Sequence, residues 1–223
     1  DITAWFLLDV SPSMSFGPID RPKELVLTDF VATLARLITR GGNRIGAILY
    51  NNELERTIPP RSGRNQVLRL MRDLLRERTN PTGVTTDLNT LLNAGLNTLK
   101  RRSLVFVISD FMSEPGWERP LSLLNRRHEL IAIRLYDPCE TELPDAGLIV
   151  VEDAETGEQL TINTSDPTFR RRFYEVAQQR EAILKENVRR AGVDLFTIST
   201  EDDLVAAIVR MAALRKMRRQ NFS

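Results

Sequence analysis

Two kinds of apolar pattern alternate along the chain. Short, nearly unbroken apolar runs at 3–9, 44–50, 103–109, 130–136 and 194–198 read as strands buried on both faces. Between them, apolar residues recur at helical spacing. In 23–40 they fall at Leu25, Leu27, Phe30, Val31, Leu34, Leu37 and Ile38, and Gly41–Gly42 supplies the stop. Similar periodicity predicts helices over 65–76, about 88–100, 117–126 and 201–215. A long helix starts at Asp166-Pro167 and runs to about Arg190 before Gly192. Asn51–Asn52 is a turn signal, so 54–58 should return antiparallel and end at Pro59–Pro60. Residues 137–163 interrupt the alternation with a loop, and then a β-hairpin insertion over about 147–163 turns at Thr156–Gly157.

This order predicts a Rossmann-like α/β domain: a mostly parallel central sheet with helices on both faces. No internal repeat or flexible linker divides it, so we expect one domain over 1–215 and a basic tail over 216–223. The chain opens almost directly on a buried strand, which suggests a domain taken from a longer protein.

In such sheets ligands gather at the carboxyl ends of the strands, beside the point where strand order reverses. The first strand ends at Asp9 and the strand at 103–109 runs into Asp110. Flanking the switch, these two aspartates would face each other across one crevice. Asp9 continues as DVSPSMS, placing Ser11 and Ser13 on the same turn, and the loop GVTTDL offers Thr85, Thr86 and Asp87 just before a helix. Asp87 reads equally well as a helix N-cap. Crowded oxygen atoms at the end of a buried strand are costly unless something neutralises them, and a hard divalent cation does so. An all-oxygen set of two carboxylates and hydroxyls suits Mg²⁺, with Mn²⁺ or Ca²⁺ as alternatives, and disfavours zinc or copper. Neutral hydroxyl ligands leave the ion electrophilic, so an acidic side chain from a partner is the expected last ligand.

Composition narrows the classes. The chain has 223 residues with 42% hydrophobic, which suits a packed core. The formal net charge of +1 provides no global field toward nucleic acid or acidic membranes. The arginines at 170–172, 189–190 and 215–219 read as solvated faces and a tail. Asp20 and Asp29 read as solvated too, and Phe173 and Tyr174 as core rather than base-stacking groups. With one cysteine, Cys139, and one histidine, His128, neither an intrachain disulfide nor a zinc cluster can form. No run is long enough to span a membrane. The expected location is cytoplasmic, with any membrane anchor of a longer protein outside this sequence.

The pattern D-x-S-x-S at Asp9–Ser13, a threonine in GVTTDL and the aspartate in ISDF resemble the metal-ion-dependent adhesion site of von Willebrand factor A domains. That resemblance implies Ser11, Ser13 and Thr86 as hydroxyl ligands, with Asp9 and Asp110 in a water-linked outer shell. Thr86 matches because TDL resembles the GGTDL usual in that family; Val84-Thr85 replaces the two glycines, which leaves Thr85 as an alternative. The resemblance extends to DVSPSMSFG, RIGAILY, IPPRSGRNQVL, RRSLVFVISDF, RRHELIAIRLYDP, VVEDAETGE and YEVAQQREAILKENVRRAGVDLFTIST. These stretches resemble the bacterial "domain of unknown function 58" family, whose members carry a von Willebrand A-like domain. Their genes often neighbour a MoxR-type AAA+ ATPase, so the resemblance implies such an ATPase as a partner.

Enzyme classes fit less well. A haloacid-dehalogenase-type phosphatase needs a second aspartate two residues after the first, where this chain has Ser11. A serine hydrolase needs a base, and His128 sits at the start of a strand remote from Ser11 and Ser13. Neither GxGxxG after the first strand nor GxxxxGK[ST] anywhere is present. The expected function is metal-dependent protein–protein binding, without catalysis. A metal-dependent phosphoester hydrolase and a scaffold with a vestigial site are the alternatives.

Overall fold

A computed structural model describes residues 2–18, 20–78, 85–153 and 157–221, with side chains described as far as 216. Residues 79–84 of the expected polar loop, Val84 included, and Thr156 of the expected hairpin turn lie outside the described residues. The central sheet has the order β3-β2-β1-β4-β5-β8. Its strands are β1 (Thr3–Asp9), β2 (Arg44–Asn51), β3 (Glu53–Arg61), β4 (Leu104–Ser109), β5 (Glu129–Tyr136) and β8 (Asp194–Ser199). Every neighbouring pair is parallel except β2 with β3. Chain order runs outward from β1 in both directions, so the switch point lies between β1 and β4, where the sequence places it.

Alternation along each strand feeds two cores. Ala4, Phe6 and Leu8 of β1 point to one face, joined by Phe106 and Ile108, and Phe6 stacks on Phe106 at 5.3 Å between centroids. That face is covered by α1 (Lys23–Arg40), α2 (Arg64–Leu74) and α6 (Leu204–Asn221). Trp5 and Leu7 point the other way, under α3 (Leu88–Thr98), α4 (Glu118–Arg127) and α5 (Pro167–Arg190). The start of α5 follows the sequence signal closely, since the Asp166 carboxylate accepts from the Thr168 amide and Pro167 fills the first helical position. The insertion is a separate antiparallel hairpin of β6 (Leu148–Glu152) and β7 (Gln159–Asn163). Among the described residues no helix is long and apolar enough to cross a membrane.

Three expectations need correction. Pro59–Pro60 does not end β3, which continues to Arg61. Because β3 is the sheet edge, missing proline N–H groups cost little there, and the pairing shifts register between Ile45 and Ala47. The buried Gln66 amide closes the gap by donating to the carbonyls of Ile45 and Pro59, each at 2.9 Å. The last helix begins at Leu204 and continues past Arg215 to Asn221, since RKMRRQ contains good helix formers and no stop. Finally, Phe173 and Tyr174 are not core residues. Tyr174 is 45% exposed and Phe173 half-buried, because α5 buries only Ala177, Leu184 and Val188.

Candidate functional site at the carboxyl end of the sheet

The crevice between the ends of β1 and β4 gathers the predicted residues. Asp9, Ser11, Ser13, Thr86 and Asp110 are all buried, and Asp9 is fully so. Ser13, Thr86 and Asp110 line one cleft. Asp9 turns its carboxylate back over its own loop, where one oxygen accepts from the Ser11 amide at 2.9 Å. The other accepts from the Ser109 hydroxyl at 2.6 Å, tying β1 to β4. The Ser11 and Ser13 hydroxyls lie 3.3 Å apart. Their spacing follows from the 3-10 turn Pro12–Ser15, in which Pro12 pre-sets the backbone and Met14 packs into the core. Phe16, 40% exposed, stands at the rim.

The threonine loop is fixed from two sides. The Asp87 amide donates to the Tyr50 hydroxyl at 2.8 Å, and the Glu114 amide donates to the Thr86 carbonyl at 2.9 Å. Asp87 itself caps α3, accepting from the Asn89 amide. Thr85, the alternative ligand, lines the same cleft but is exposed. On the β4 side, Phe111 follows Asp110 in the left-handed region at φ 58°, a conformation that costs a bulky residue of order 1 kcal/mol. Packing edge-on against Trp117 at 5.4 Å holds it there, and the Met112 amide then donates to Asp110 Oδ1 at 2.9 Å.

The sequence reading missed Lys23. This first residue of α1 is fully buried, and its ammonium donates to Asp110 Oδ2 at 2.8 Å and to Glu140 Oε1 at 2.5 Å. Glu140 comes from the 3-10 turn Pro138–Glu140 after β5, and its other oxygen accepts from the Asp137 amide in a capping box. Burial is the largest influence on Lys23 and works against the charge. Asp110 and Glu140 outweigh it and hold the ammonium above its ordinary range. Burial also raises Glu140, against the pull of Lys23. A cation at the start of a helix opposes the helix dipole, which marks Lys23 as a residue placed for another reason.

Among the described residues, no cation pairs with Asp9. Burial first, and then the neighbouring Asp110, raise its carboxyl from 3.8 to about 6. Among the described residues, three carboxylates (Asp9, Asp110 and Glu140) thus come together here with the Lys23 ammonium, while Arg134 and Arg180 also line the cleft. Among the described residues no three His, Cys, Asp or Glu side chains are grouped to hold a metal. The donor set is instead carboxylate and hydroxyl, with a surplus of negative charge, and it fits a hard divalent cation. Ser11, Ser13 and Thr86 would hold such an ion. Asp110, with both oxygens already accepting hydrogen bonds, would join as an outer carboxylate, as would Asp9.

Of the remaining candidates, His128 lies apart, whereas Cys139 lines the same cleft. His128 is buried at the end of α4, where β5 begins, and burial lowers its pKa. The eight residues of β5 separate it from the crevice by more than about 20 Å. Cys139 is exposed, and its thiol is raised by partial burial and by Asp137, Glu201 and Glu140, the reverse of an activated nucleophile. The cleft, about 820 Å³, extends from Ser13, Thr86 and Asp110 to an apolar wall that includes Trp117, Phe173 and Leu184.

Comparison with known proteins agrees with this architecture. The family model described as "Protein of unknown function DUF58" matches residues 1–183, and the chain belongs to that family. Uncharacterized protein Rv1480 of Mycobacterium tuberculosis (strain ATCC 25618 / H37Rv) is 33% identical over 216 residues, covering 97% of this chain and 68% of that protein. Uncharacterized protein MAV169 of Mycobacterium avium is 36% identical over 159 residues, covering 71% of this chain and 94% of that protein. Among solved structures, the conserved hypothetical protein BatB from Bacteroides thetaiotaomicron superposes with a TM-score of 0.61 at 13% identity, over 98% of this chain and 100% of that one. An aerotolerance-related membrane protein from Bacteroides fragilis NCTC 9343 gives 0.60 at 13% identity, over 97% and 100%. The fold is α/β of the von Willebrand factor A-like kind.

Proposed function

We propose that this DUF58 domain is a metal-dependent docking module for another protein, and not an enzyme. The observation that carries this reading is the charge at the switch point, where Asp9, Asp110 and Glu140 outnumber Lys23 beside the hydroxyls of Ser11, Ser13 and Thr86. A bound Mg²⁺, Mn²⁺ or Ca²⁺ would supply one open electrophilic position to a carboxylate. The chain's own residues do the rest. The serine and threonine hydroxyls present neutral oxygens, so the ion's charge is left for the partner. Asp9 and Asp110 are each held by a backbone amide, and their carboxylates would supply the outer negative charge to such an ion. The apolar wall of the cleft beside the site offers further contact to whatever flanks the partner's Asp or Glu. A MoxR-type AAA+ ATPase, or a protein it remodels, is the partner the family resemblance favours.

Lys23 supports a second reading, in which the ammonium is a permanent counter-ion and the domain is a scaffold that needs no metal. Two measurements separate the readings. Calorimetric titration with Mg²⁺ and Mn²⁺ should show binding to the wild-type chain and none to a folded Asp9→Ala variant. Affinity capture from source cells should retain one partner that chelator releases and that Asp9→Ala fails to retain. Equal metal binding by both chains would contradict the docking reading, and a complete absence of binding would favour the scaffold.

A further inference from the structure

We infer that Lys23 is an affinity-setting residue: a built-in counter-cation that keeps the crevice shaped without metal and holds its affinity for divalent ions low. The inference rests on the metal reading above and specifies how that site is regulated. Its ammonium has no exposure to solvent and bridges two strand ends, taking Asp110 after β4 and Glu140 after β5. The ammonium also lies over the Phe16 ring, 5.8 Å from its centroid. Asp110 is also one of the two carboxylates expected to face the metal, so one carboxylate serves both cations. A fixed positive charge paired to Asp110, a carboxylate of the proposed site, opposes a second, divalent charge there, and in a buried crevice solvent screens that opposition weakly. The same ammonium replaces the missing ion when the site is empty, since without it Asp110 and Glu140 would be two buried carboxylates with no counter-charge. Metal loading alone is therefore weak, and a partner's carboxylate, adding negative charge at the last ligand position, makes loading favourable. Ion and partner then bind cooperatively, as linkage requires.

The test uses substitutions with opposite expected signs. Lys23→Met keeps much of the side chain's length and removes its charge. It should tighten Mn²⁺ binding to the chain, read by calorimetry with Mn²⁺ alone, by about tenfold or more. Glu140→Gln leaves the ammonium paired only to Asp110 and removes one negative charge. It should weaken Mn²⁺ binding by several-fold. A merely structural lysine predicts that both variants lose affinity together as the crevice loosens, so the sign of the Lys23→Met effect decides between the roles. Circular dichroism checks folding, and if Lys23→Met fails to fold, Lys23→Gln removes the same charge, keeps a polar end and carries the same test of sign. Wild-type and variant chains that bind Mn²⁺ equally would overturn the role of Lys23 and leave the metal reading standing. Folded chains that bind no Mn²⁺ in any form would overturn both.

Discussion

Replacing Asp9 with Asn should stabilise the metal-free protein, although it removes a residue the proposed function needs. Asp9 is fully buried beside Asp110, and its carboxyl is raised from 3.8 to about 6, first by burial and then by that neighbour. Above pH 6 the native state therefore holds a charge it disfavours, while the unfolded chain carries it freely. The difference is worth ~3 kcal/mol at neutral pH. The sign follows directly. With the folded-state value raised, this contribution to stability is fully present below about pH 4 and is lost as pH rises through about 6. Asn keeps the oxygen that accepts from the Ser11 amide but turns an acceptor toward Ser109 into a donor. Ser109 already accepts from the Phe111 amide, so its own hydroxyl proton loses its acceptor at a cost of ~1 kcal/mol. The net gain is ~2 kcal/mol, or roughly 4–8 °C in melting temperature for a domain of this size. Thermal or urea unfolding with chelator, from pH 4 to 8, measures it. The wild type should lose stability across that range relative to Asp9→Asn, and added Mn²⁺ should restore the wild type only. A variant less stable than wild type at pH 7.5 in chelator, or a difference that does not change with pH, would show that the buried Asp9 charge does not destabilise the fold.

Other consequences can be checked with the same assays. Thr86→Val should abolish Mn²⁺ binding in calorimetry, whereas Thr85→Val should leave it within about twofold, since Thr86 is buried at the site and Thr85 is exposed. Gln66→Ala should cost ~2 kcal/mol or more in urea unfolding, because the Ile45 and Pro59 carbonyls both lose their buried donor. Gly46→Ala should cost a similar ~2 kcal/mol, because its new methyl would stand 3.0 Å from both the Ile58 carbonyl and the Trp5 ring.

The elements were legible wherever a local rule decides them. Gly41–Gly42 ends α1 and Asp166-Pro167 starts α5, where local conformational preference alone is enough. The nearly unbroken apolar runs of β1 and β4 identify them as central strands, and Asp9 at the end of one and Asp110 just after the other then locate the crevice. Longer-range effects were not legible. Proline signals the end of a strand only when its neighbour needs the missing N–H, and β3, at the edge with Gln66 behind it, does not. Tyr174 has apolar sequence neighbours, but α5 buries only Ala177, Leu184 and Val188 and leaves it exposed. Lys23 was the costliest omission, since at the start of an amphipathic helix lysine reads as solvated. Two signals could have exposed it: a cation at the unfavourable end of a helix dipole, and acids after the buried strands that call for a counter-charge.

The central claim is that Ser11, Ser13 and Thr86 hold a divalent cation with Asp9 and Asp110 behind its waters. Anomalous diffraction from crystals grown with Mn²⁺ tests it most directly. One strong peak is expected within ligand distance of those three hydroxyls, with both aspartates bridged through water. A crevice without a peak at saturating Mn²⁺, its Lys23–Asp110 pair intact, would contradict it.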